Sequence, residues 1–204
     1  MPDNQAEVRR FITGNHPWLL VSLLVFMPLF FDEQTRALLQ YQRLAILDGQ
    51  MYRLLSGHLV HTNLYHTLLN LAALVLIGLL SARHLKAKDW WLGLLIIGLV
   101  VSTCLIMFDP QLQWYRGLSG VLHGMVVVLV LKARQLAVVI RVIILAGIAI
   151  KLILEQTGTS MTASEHLLGA PVMVDAHLYG AVGGVLAFLV LHLTRSRRMF
   201  RENF

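Results

Sequence analysis

Gly117-Leu118-Ser119-Gly120 sets a serine between two glycines at the head of an apolar run, and His123 follows it by four residues. A second polar group, Asp175-Ala176-His177, opens another apolar run and is followed by Gly180 and Gly184. A third, "HTNLYHTLLN" from His61 to Asn70, carries His66 and Asn70 four residues apart, on one face of a helix. Serine is a poor nucleophile until a base takes its proton, and neutral imidazole titrates in the right range. Ser119 is therefore the expected nucleophile and His177 the expected base. His66, Asn70 and the Ser119 backbone N–H are expected to donate hydrogen bonds to an oxyanion. His123 is expected to support His177, since two touching imidazoles cannot both be charged cheaply. No carboxylate stands out as a third member. Asp175 lies about 200° around an ideal helix from His177 and reads as an N-cap. A Ser–His dyad is the expectation. The stretch is not a Gly-x-Ser-x-Gly elbow, because Val121 fills the last position and no strand is expected before it.

Positioning these groups needs elements that cross a membrane. The 204 residues are 57% hydrophobic and 14% charged, with a mean hydropathy of +0.68. That balance is too apolar for an ordinary soluble domain. Apolar runs of roughly spanning length lie near 15–31, 64–82, 90–108, 118–131, 136–154 and 176–194. The expected fold is an all-α bundle of six transmembrane helices over 15–194. A short segment at 1–14 precedes it and a basic tail at 195–204 follows. The mixed connection from Asp32 to Asn63 should contain short interfacial structure.

The net charge of +6 does not indicate a nucleic-acid partner, because Lys and Arg gather between the runs and at the termini. Arg9, Arg10, Arg83, Lys86, Lys88, Lys132, Arg134 and the arginines after 194 mark one side, which the positive-inside rule assigns to the cytoplasm. Both termini are then cytoplasmic, and the second, fourth and sixth runs begin at the outer face. Arg141 and Lys151, inside the fifth run, are expected to snorkel to the nearer interface. Cys104 is alone, so no internal disulfide forms. The first run ends in Asp32-Glu33 rather than in a small-residue cleavage site, so it reads as a span and not as a signal peptide.

Depth and packing then bring the clusters together. The fourth run, about 14 residues, makes roughly 21 Å of helix against a core about 30 Å thick. Anchored at Lys132 and Arg134, its start at Ser119 lies below the outer surface, where free N–H groups face the opening. Gly120 and Gly124, and Gly180 and Gly184, are small-xxx-small pairs that let two helices approach closely.

These motifs resemble the rhomboid family of intramembrane serine proteases. The resemblance rests on "GLSG" at 117–120, "AHLYGAVGG" at 176–184 and "HTNLYHTLLN" at 61–70, in order on alternate spans. Tyr52-Arg53 looks like the family's Trp-Arg pair. The resemblance implies peptide-bond hydrolysis by Ser119 and His177 with oxyanion contacts from His66 and Asn70, no metal and no cofactor. It implies a membrane-anchored protein substrate cut near the outer face, and a bacterial inner-membrane location. Many bacterial rhomboids have an aromatic residue stacked on the catalytic histidine where this chain has His123. "GLSGVLHG" and the short length look like the rhombosortase branch, which is associated with Gly-rich C-terminal sorting tails of exported proteins. Gly117 and Gly120, on this reading, keep the entrance free of bulk. The alternatives are a catalytically inactive binding module of the same fold and a His-based metal or haem protein. Against the latter, no carboxylate or thiolate is expected to join His58, His61, His66, His123 and His177. His58 and His61 are expected to face the interface.

Overall fold

In the computed structural model, residues 16–82, 84–158 and 172–202 are described, with side chains of the last helix to Thr194. The chain runs α1 (Pro17–Phe26, with a 3-10 turn Met27–Phe30), α2 (Glu33–Leu39), β1 (Tyr41–Gln42), α3 (Arg43–Leu47), α4 (Arg53–Ser56), α5 (Leu64–Ser81), α6 (Ala87–Phe108), β2 (Trp114–Tyr115), α7 (Ser119–Lys132), α8 (Val138–Gln156) and α9 (Val174–Glu202). Among the described residues, a helix overlaps each of the apolar runs. Leu64–Ser81, Ala87–Phe108 and Val174–Thr194 are long and apolar enough to cross a membrane. Pro17–Phe30 and Ser119–Lys132 are shorter, and α8 carries Arg141, Lys151 and Glu155. The last helix continues to Glu202, beyond its expected end at Thr194. Asn15, Arg9, Arg10, Arg83 and His166, and the side chains of the arginines after 194, lie outside the described residues.

The apolar residues face both inward and outward, as lipid requires. Leu74, Ile97, Val101, Leu105, Met125 and Val128 are fully buried, while Leu76, Leu80, Ile143 and Ile153 stay exposed. In water such an exposed surface would be costly at about 25 cal/mol per Å². Against lipid tails it costs nothing, and close packing of small residues decides which faces meet. The seam between α7 and α9 shows this. A Cβ at Gly180 would overlap the Gly120 carbonyl, one at Gly124 the Gly180 carbonyl, and one at Gly184 the Gly124 backbone. The two helices make the most extensive helix pair among the described residues. On the far side, Gly78 of α5 receives the Trp18 indole.

The connection from Asp32 to Asn63 folds into α2, α3 and α4, as expected of a mixed loop. Asp32 caps α2, its side chain accepting from Thr35 N–H at 2.7 Å. Arg53, buried, gathers the other end of α2: its Nη1 donates to the carbonyls of Ala37 (2.8 Å) and Gln40 (2.9 Å), and its Nε to Gln50 Oε1 (2.7 Å). A ladder pairs Tyr41 with Tyr115 and Gln42 with Trp114, so a two-residue strand does precede Ser119, contrary to expectation. Two residues carry too little alternation to be read from sequence.

α7 sits at the centre, with most of its length buried. Lys132 at its C-terminal end pairs with Asp89 of α6 at 3.1 Å, tying that end of the 14-residue helix to α6. Arg141 reaches the end of α7: Nε donates to the Val130 carbonyl (3.1 Å) and Nη2 to Leu131 (3.3 Å). A cation that meets the unpaired carbonyls of a helix C-terminus gains both hydrogen bonds and the favourable end of the helix dipole.

Candidate active site

Ser119 is the first residue of α7, and the peptide before it is tightly held. Gly117 has φ +143°, a conformation that L side chains rarely adopt, and a Cβ there would meet the His66 ring at 3.0 Å. Its N–H donates to the Gly57 carbonyl (3.2 Å), and its own carbonyl accepts from Tyr115 Oη (2.7 Å). Leu118 N–H donates to His61 Nε2 at 3.4 Å. The chain therefore enters α7 in one orientation, with the Ser119 hydroxyl aimed at α9.

There His177, buried in the first turn of α9, brings Nε2 to 2.9 Å from Ser119 Oγ. This is hydrogen-bond distance between two groups 58 residues apart. The His123 ring stacks on His177 with centroids 4.2 Å apart and planes inclined by 21°, and its Nδ1 is 2.8 Å from the Ser119 carbonyl. A ring stacks on the base where an aromatic residue was the alternative.

His66 and Asn70 both line a cavity of about 750 Å³ that also touches Ser119 and His177. Thr62 Oγ1 lies 3.1 Å from His66 Nδ1. With that hydroxyl donating, the His66 proton resides on Nε2, the nitrogen near Gly117. Asn70 donates one amide hydrogen to the His66 carbonyl at 2.9 Å, which leaves the other for the cavity. Gln113 and Met173 also line the cavity. Its volume is of the order found for ligand sites.

The structure adds a residue that the sequence did not single out. Glu155, in the last turn of α8, sets Oε2 at 3.0 Å from His177 Nδ1, and Lys151 pairs with its other oxygen. The expectation that no carboxylate reaches His177 is corrected, because the acid comes from a neighbouring helix rather than from the segment around His177. The signal available was the Lys151–Glu155 spacing of four residues at the C-terminal end of an apolar run. Asp175 is also not the cap it resembled. The helix begins at Val174, so Asp175 lies inside the first turn, where it interacts with Asp109.

Glu155 also removes one argument against a metal site. Ligand atoms of His123, Glu155 and His177 lie within 4.8 Å of one another. The imidazoles, however, present their faces to each other, whereas a shared cation needs their in-plane lone pairs to converge. His177 already meets Glu155 and Ser119 with its two nitrogens.

His58 and His61 are buried, not surface-facing, because the connection before α5 folds back onto α6 and the start of α7. His58 Nε2 is 3.0 Å from Ser102 Oγ and 3.1 Å from the Gly98 carbonyl. Burial lowers the pKa of both, that of His61 to about 3, with the nearby His66 adding to the effect. At the rim, Arg116 reaches Glu33 (2.6 Å) and Gln40 (2.8 Å), and its hydrogen bond holds the Glu33 carboxyl below the ordinary range.

The rhomboid-domain family model matches residues 48–194, more than half of the chain and a range that includes His66, Asn70, Ser119, His123, Glu155 and His177, and the chain belongs to the rhomboid family. Members of this family are generally intramembrane serine proteases, and the chain is an integral, multi-pass membrane protein. No curated protein matches it.

Proposed function

We propose that this protein is an active intramembrane serine endopeptidase that cuts a membrane-anchored protein segment near the outer face of a bacterial inner membrane. The observation that carries the reading is the 2.9 Å contact between Ser119 Oγ and His177 Nε2 beside a cavity with amide and imidazole donors. Ser119 Oγ attacks the scissile carbonyl as His177 Nε2 takes its proton. The oxyanion accepts from His66, Asn70 and the Ser119 N–H. His177 returns the proton to the leaving amine, which departs, and water repeats the sequence on the acyl-enzyme. Neither a metal nor a cofactor enters these steps. Six spans with both termini in the cytoplasm place the outer ends of α5, α7 and α9 on the exported side.

The substrate on this reading is a tail with Gly or Ala before an apolar span and a basic cytoplasmic end, as the rhombosortase resemblance suggests. An extended carbonyl is needed, and glycine lowers the cost of unwinding a helix by about 1 kcal/mol relative to alanine. Gly117 and Gly120 leave little bulk beside Ser119. The alternative is an inactive binding module of the same fold. A second reading, a divalent cation at His123, Glu155 and His177, is favoured only by their proximity.

The deciding experiment is trapping with a serine-reactive fluorophosphonate in detergent, with and without a chelator. Labelling should occur at Ser119, vanish in Ser119→Ala and His177→Ala, and ignore the chelator. Absence of label in the wild type favours the binding module, and chelator-sensitive activity favours the cation.

A further inference from the structure

We infer that Glu155 is a positioning residue of this site: its carboxylate accepts the Nδ1–H of His177 and so turns the Nε2 lone pair toward Ser119, while Lys151 holds the carboxylate in place. The inference rests on the protease reading and extends the two-residue site to a Ser119–His177–Glu155 relay with a fourth, cationic member.

The geometry supplies the argument. An imidazole has two tautomers, and only the one with hydrogen on Nδ1 leaves Nε2 free to take the serine proton. A carboxylate can only accept, so Oε2 at 3.0 Å from Nδ1 selects that tautomer. Without a partner at Nδ1, the ring is free to place its hydrogen on Nε2, which disables it as a base toward Ser119. His177 and Glu155 are both buried, so the acceptor at Nδ1 is protein rather than bulk water. Burying a carboxylate is costly unless it is paired and hydrogen-bonded. Here Lys151, one turn earlier on α8, meets the second oxygen, and its own side chain remains about half exposed. The groups around His177 are Ser119 and His123 from α7, Glu155 and Lys151 from α8, His66 from α5, and Asp175 on its own helix.

The placement has a further consequence. Among the described residues of α8, only Leu152 and Glu155 are buried; Arg141, Ile144, Leu145 and Ile148 are partly covered and the others are exposed. The residue that orients the base thus stands on a lightly packed helix, and displacing the outer end of α8 would withdraw the acceptor from His177.

The test compares fluorophosphonate labelling rates of wild type, E155Q, E155D and K151Q across pH 5–9 in detergent, with S119A as blank. E155Q should label about 10²–10⁴-fold more slowly, because an amide can donate to Nδ1 and favour the wrong tautomer. E155D, which keeps the charge, should recover much of the rate. The acidic limb of the rate profile should move to lower pH in E155Q, which loses the anion that stabilises imidazolium. It should move to higher pH in K151Q, which loses an opposing cation. A merely structural Glu155 changes the amount of active protein and leaves the limb in place. If wild type labels and E155Q labels within threefold of it with an unmoved limb, this inference fails and the protease reading stands. If E155Q does not accumulate as folded protein, K151Q decides, and an unmoved limb overturns the inference. A wild type that takes no label overturns both.

Discussion

Gly180→Ala separates local preference from tertiary packing. By helix propensity alone the change stabilises, since alanine is about 1 kcal/mol better than glycine in a helix interior. The α7–α9 seam reverses the sign. The new Cβ would overlap the Gly120 carbonyl, well inside van der Waals contact, and that atom is backbone and cannot rotate away. Restoring ordinary separations of about 3.5–4 Å requires the helices to part by about 1 Å or more. Such overpacking typically costs about 1–3 kcal/mol, enough to cancel the propensity gain. Function should suffer more than stability. Gly120 adjoins Ser119, and Gly180 follows His177 by three residues, so the same displacement stretches the 2.9 Å contact between nucleophile and base. A misplacement of about 1 Å can cost roughly 10²-fold in rate. The assay is fluorophosphonate labelling rate beside thermal unfolding in the same detergent. Gly147→Ala on α8 is the control, because nothing lies within 4 Å of its new Cβ. It should label like wild type and melt no lower. Wild-type labelling by Gly180→Ala, or equal damage from Gly147→Ala, refutes the claim that this seam sets the Ser119–His177 distance.

His66→Ala and Asn70→Ala should each lower turnover about 10²–10³-fold, since one oxyanion donor is worth that much; full activity in steady-state peptide cleavage by both would return them to helix packing. His123→Phe should retain substantial labelling activity, because a phenyl ring preserves the stacking face that meets His177; inactivity equal to His177→Ala would show that His123 is more than a support. The burial of neutral His58 and His61 lowers their folded pKa values below the unfolded one. Their contribution is therefore present above about pH 6.5 and lost as pH falls below it, by up to about 1.4 kcal/mol per unit for each histidine. Melting temperatures in detergent should be flat above neutrality and drop below pH 6.5, less steeply in His61→Gln; a flat profile down to pH 5 would contradict this. Replacing Gly or Ala before the apolar span of a reporter tail with Val or Leu should suppress cleavage mapped by mass spectrometry, and equal processing would refute a small-residue entrance.

Much of the architecture is legible in the chain because lipid imposes a simple rule. A spanning helix needs a long apolar run, and Leu64–Ser81, Ala87–Phe108 and Val174–Thr194 announce themselves by length. Ser119 and His177 are legible too, because a polar group at the head of such a run is expensive and invites a functional reading. The paired glycines point to close helix approach without naming which backbone atoms touch. What periodicity along one helix cannot give is its rotation and height against another. Glu155 looked like the end of a span, distant in sequence from His177, and Asp175 like the N-cap of the last helix. Only packing, with the glycine seam setting α9 against α7 and α8 laid beside both, brings Glu155 to Nδ1 and turns Asp175 toward Asp109. The same limit hid His58 and His61, whose burial comes from a connection folded back onto α6 and α7. The types of chemical group are fixed by local composition, but their contacts depend on side-chain directions summed over several helices, which no short stretch of sequence contains.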